Sequence, residues 1–138
     1  MYNIFEHTAD MGIESDGDTP GEALAEAARG LTAIVTNNPN RQDGSVPITF
    51  RLEAPDLPAL AVTFLAELLW LQESKDLLWT MGGAEVTYEG DSVVVHANGC
   101  GRIFHGSLPG VEVKAITYHG LEFFRKGPKW RLKILLDI

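Results

Sequence analysis

Apolar side chains recur along this chain with two different periods, and the switches between them mark out the elements. Residues 2–6 and 11–15 alternate apolar and polar positions at period two, which predicts two short strands around a corner at residues 7–10. Thr19, Pro20 and Glu22 then supply an N-cap hydroxyl, a proline for the first helical position and a glutamate three residues after the cap. From there Leu24, Ala27, Ala28, Leu31, Ile34 and Val35 recur at spacings of three and four, predicting a helix that Asn37, Asn38 and Pro39 end. Val46, Ile48, Phe50 and Leu52 return to period two, and Asp56 caps a second helix that runs to about Lys75. Its apolar positions Leu57, Leu60, Ala61, Phe64, Leu65 and Leu68, with the unbroken apolar run at residues 68–71, mark it as the central core helix.

Residues 77–88 and 92–97 flank Glu89, Gly90 and Asp91 and predict a hairpin whose first strand is weakened or bulged at Gly82 and Gly83. A glycine-rich stretch follows from Asn98 to Gly110, and strands are expected at residues 111–118 and 129–137. The order reads as β-α-β-β twice. That pattern predicts an α+β fold with a mostly antiparallel sheet and two main helices, and excludes a doubly wound parallel core.

At 138 residues the chain makes one domain, residues 1–138, large enough to bury roughly two-thirds of its unfolded surface without staples. No apolar run approaches the ~20 residues of a membrane span, and residues 1–6 lack the basic and apolar regions of a signal peptide. The lone Cys100 excludes an internal disulfide and fits a reducing compartment, so a cytoplasmic protein is expected. A net charge of −8 disfavours direct, specific nucleic-acid binding and favours a basic protein surface or a cation as partner.

The candidate chemistry lies at the two ends. Asp10 sits in the first corner, and Asp137 is followed by Ile138, whose free carboxylate adds a further anion. Three carboxylates brought together would suit a hard metal ion or a basic partner. His7 reads equally as a core histidine or a general base. Gly99, Cys100, Gly101 and Gly106 suggest a phosphate loop only superficially, because no helix pattern follows them. His96, Cys100 and His105 are soft ligands whose spacing matches no closed zinc site. Residues 123–133 gather five basic residues and three aromatics, a composition that can hold single strands by stacking. Period two, however, turns Trp130, Leu132, Ile134 and Leu136 to the core and sets Arg131, Lys133 and Asp137 on the other side, so a solvated hairpin is the favoured reading.

Several longer runs carry a resemblance. They are His7-Thr8-Ala9-Asp10-Met11-Gly12-Ile13-Glu14, the helix start at Gly17, Asp18, Thr19, Glu22 and Ala23, and Ala28-Arg29-Gly30-Leu31. Phe64-Leu65-Ala66-Glu67-Leu68-Leu69-Trp70-Leu71, Val113-Lys114-Ala115-Ile116-Thr117-Tyr118-His119-Gly120-Leu121 and the terminal Asp137-Ile138 follow in the same order. Together they resemble the archease family over essentially the whole chain. Met11 stands where isoleucine is common, and the stretch at residues 100–110 does not align cleanly.

The resemblance implies an accessory protein, not a catalyst. Its partner would be the manganese- and GTP-dependent RNA ligase of tRNA splicing or repair, which joins a 5′-hydroxyl to a 3′-phosphate or 2′,3′-cyclic phosphate. The accessory protein would promote guanylylation of the ligase and multiple turnover. It further implies duplicated strand-helix-strand-strand units closing an antiparallel barrel. Asp10, Asp137 and Ile138 would form a metal site described with calcium, magnesium or manganese being alternatives. His7, Lys114 and His119 are further candidates for contact with the partner. The competing readings are a chaperone-like protein-binding module and a metal-assisted hydrolase, the latter lacking any nucleophile, base and orienter set in the sequence.

Overall fold

The computed structural model describes residues 1–7, 10–38 and 44–138, with the side chains of His7 and Met81 outside that description. Among these described residues nine elements follow in order: β1 (Tyr2–His7), β2 (Asp10–Gly17), α1 (Pro20–Thr36), β3 (Val46–Ala54), α2 (Leu57–Lys75), β4 (Leu77–Glu89), β5 (Ser92–Ile103), β6 (Ala115–Lys126) and β7 (Lys129–Asp137). Both helices start where the caps predict. The Glu22 N–H donates to Thr19 Oγ1 at 3.1 Å and the Ala59 N–H to Asp56 Oδ1 at 2.9 Å. The Glu22 carboxylate reaches back to the Asp18 N–H at 2.7 Å, one residue before the cap itself. The expected helix end at Pro39 lies outside the described residues; α1 stops at Thr36 with Asn37 in the left-handed region at φ 55.

The strands form two antiparallel sheets, one ordered β1-β2-β7-β6 and the other β3-β5-β4. The four-stranded sheet is built from the two ends of the chain, and the three-stranded sheet from the segment inserted between them. Among the described residues neither sheet closes, which corrects the expected barrel: β1 and β6 remain edges of one sheet, β3 and β4 of the other. The physical reason is the position of the helices. α1 packs against β2 and β4, and α2 against β6, β3 and β4, so helices fill the space between the sheets that strand side chains alone would fill in a barrel.

The expected duplication is corrected as well. Among the described residues a single strand, β3, separates α1 from α2, so β-α-β-β occurs once, as β3-α2-β4-β5. The core lies between the sheets, where Leu24, Leu60, Phe64, Leu65, Val95, Ile134 and Leu136 are fully buried. Phe64, Phe50 and Trp79 meet with ring centroids 5.7–6.2 Å apart.

Two boundaries differ from expectation. The stretch from Asn98 to Gly101 is strand and not loop, because Gly99 and Gly101 pair with both β3 and β4, the β4 register shifting between Trp79 and Met81. Gly101 leaves its Cβ space to Ile48 and Leu77, which is how a glycine-rich run can sit in the middle of a sheet. The penultimate strand begins at Ala115, later than residue 111, because Gly110 and Val111 spend their N–H groups on the Val35 and Ile34 carbonyls at the end of α1, both at 3.0 Å. No described helix is long and apolar enough to cross a membrane.

Candidate functional site

Pairing of β2 with β7 brings the two ends of the chain together. Asp10 stands directly opposite Asp137, and the ladder continues through Met11 and Leu136 to Gly17 and Trp130. On the outer side of β2, His7 is the backbone partner of Asp10, and on the outer side of β7, Ala115 is the partner of Asp137. One row across four strands therefore runs His7, Asp10, Asp137, Ala115. The middle of the corner, Thr8 and Ala9, lies outside the described residues.

Opposed residues of an antiparallel pair have Cα atoms about 4.5–5.5 Å apart and side chains on one face. Two carboxylates so placed repel each other unless a counter-charge sits between them. Asp10 is half-buried and Asp137 exposed, and Ile138, half-buried against the core, carries the terminal carboxylate onward from the same strand end. The donor set is all oxygen, as a hard cation requires. Among the described residues no three His, Cys, Asp or Glu side chains gather into a metal-holding group.

The remaining candidates border this row. Lys114 donates its backbone N–H to the Asp137 carbonyl at 2.7 Å and leaves its side chain exposed. His119 lies in an excursion of β6 that the sequence pattern did not reveal. Thr117 pairs with Leu135 and Glu122 with Lys133, so residues 118–121 stand opposite Ile134 alone. Gly120 turns the excursion at φ 66, and the space of its missing Cβ lies 3.8 Å from Leu135 Cδ1. The bulge thereby folds over the outer face next to the carboxylate row, with Tyr118 61% exposed and His119 exposed. Beneath it the Thr117 hydroxyl is buried with no partner among the described residues.

Other sequence candidates are not brought together. His96 faces outward from β5 at 3.9 Å from Glu89 Oε2, and His105 lies beyond the end of that strand. With Cys100 half-buried on β5, the three form no cluster among the described residues.

The model of the Archease protein family matches residues 2–138. This chain belongs to the archease family. Among its relatives is an archease of Pyrococcus furiosus, 31% identical over 141 residues that cover 100% of this chain and 99% of that protein. An archease of Methanosarcina mazei is 29% identical, covering 99% and 95%. Among solved structures, a protein of Methanobacterium thermoautotrophicum has the same fold, with a TM-score of 0.84 and 21% identity over 99% of this chain and 98% of its own. An archease of Thermotoga maritima, described as a possible chaperone, superposes with a TM-score of 0.58 at 24% identity, covering 100% and 98%.

Proposed function

We propose that this archease activates an RNA ligase of the manganese- and GTP-dependent type, promoting guanylylation and repeated turnover without catalysing a step itself. The observation that carries the reading is the opposition of Asp10 and Asp137 at the meeting of the chain's two ends, in a member of this family. Asp10, Asp137 and the terminal carboxylate of Ile138 would hold a divalent cation, with calcium favoured by the family resemblance and magnesium or manganese as alternatives. Such an ion supplies positive charge that offsets the repulsion between the facing carboxylates. His119 and Tyr118 on the bulge, with the Lys114 side chain, border that corner and offer a partner both hydrogen-bonding and aromatic contact.

The test is GMP transfer to the cognate ligase at sub-saturating ligase, with and without this protein. Wild type should accelerate it about tenfold or more, the equivalent of ~1.4 kcal/mol of barrier. Asp10→Ala and Asp137→Ala should abolish the acceleration while remaining folded, and full acceleration by both would remove the corner from the mechanism. The description of the Thermotoga maritima protein supports one second reading, a chaperone-like binding module. That reading requires protection of unrelated aggregating proteins, which a ligase-specific activator does not give.

A further inference from the structure

The outer face of the four-stranded sheet has a second region, at the hairpin end away from the carboxylate row. Five of the chain's 11 Lys and Arg residues fall within residues 125–133, and no acidic residue lies between Phe123 and Leu136. Net charge describes the whole molecule; it does not describe this hairpin.

The three aromatics of the hairpin divide between its faces. Phe123 is buried and meets the half-buried Trp130 edge-on at 6.3 Å between centroids. Phe124, one residue on, points the other way and is 44% exposed, with Arg131 as its cross-strand partner. Around it an open cleft of about 350 Å³ takes in Lys126, Arg131 and Lys133 together with the carboxylates of Glu14, Asp16 and Glu122. None of these three cations forms an ion pair with another described residue, and Lys133 only leans over the Phe5 ring at 5.4 Å. The neighbouring cations of the hairpin are already used: Lys129 pairs with Asp18 at 2.6 Å, and Arg125 donates to the Gly127 carbonyl.

We propose that this cleft binds a short stretch of single-stranded nucleic acid, one base stacked on Phe124 and the adjoining phosphates held by Lys126, Arg131 and Lys133. An exposed aromatic ring beside unpaired cations offers one surface for a base and another for the phosphates next to it. Glu14 and Glu122, which flank Lys133 across the strands, accept hydrogen bonds from sugar hydroxyls and base amino groups. An acidic peptide would bring no flat ring to stack on Phe124. Three phosphate contacts on a single strand give a log–log salt slope of about −2.

The experiment is fluorescence anisotropy of a short labelled oligouridylate with the full chain, titrated at several salt concentrations. Wild type should bind at low salt and weaken with that slope. Phe124→Leu, which keeps the apolar bulk and removes the ring, should weaken binding roughly tenfold. Phe124→Trp should retain it, and Arg131→Gln should lower both affinity and slope. The absence of binding would overturn the proposal. So would an affinity that Phe124→Leu leaves unchanged, or displacement by polyglutamate as effective as displacement by unlabelled oligonucleotide, which would mark an acidic-peptide surface. The ligase is absent from this assay, so its outcome is independent of the activator reading.

Discussion

At the scale of single residues, the corner of the two chain ends is governed by charge. Asp10 and Asp137 are cross-strand neighbours, and like charges directly opposite destabilise an antiparallel pair by roughly 0.2–1 kcal/mol. In chelator, Asp137→Asn should therefore be as stable as wild type or slightly more so. Calcium at a hundredfold excess over its dissociation constant should stabilise wild type by about 2.7 kcal/mol and the variant by much less. Urea denaturation with and without the ion measures both. Equal calcium responses would show that no cation bridges the pair. The alternation of β7 is a second residue-scale result: Leu132, Ile134 and Leu136 are buried as period two requires. Leu135 is buried too, which period two does not predict, and a Cβ at Gly120 of the bulge would lie 3.8 Å from its Cδ1.

Elements are where the sequence was most legible. Caps act through neighbours three residues away, so Thr19 and Asp56 mark helix starts without any tertiary information. Asp56→Ala should lower stability by about 1 kcal/mol, read as a shift of the urea midpoint at unchanged slope. A change in slope instead would point to altered compactness and not to a lost cap. Where long-range pairing overrides local composition, the reading failed. The glycines at 99 and 101 look like loop residues, yet they pair on both sides in the middle strand of a sheet. The excursion at residues 118–121 shows only through its partner strand, since a bulge is a mismatch between two strands and neither alone contains it.

For the whole molecule, the two sheets share one core. α1 and α2 each touch both sheets, so neither sheet retains its buried face if the other unfolds. Far-UV circular dichroism and tryptophan fluorescence should consequently trace one coincident urea transition, Trp79 lying in the three-stranded sheet and Trp130 in the four-stranded one. Separated transitions would mean that the inserted β3-α2-β4-β5 segment unfolds independently.

The sequence by itself determined the helices, most strand positions and the burial of one face of β7, because periodicity and capping are local physics. It also marked Asp10, Asp137 and Ile138 as chemically alike at opposite ends of the chain. Only the tertiary structure decided that Asp10 and Asp137 face each other, that the strands divide into two open sheets, and that Phe124 lies among unpaired cations. Each of these depends on which strand lies beside which. Pairing partners far apart in the chain are chosen by the burial of a common core, and a single sequence carries that choice only as a whole.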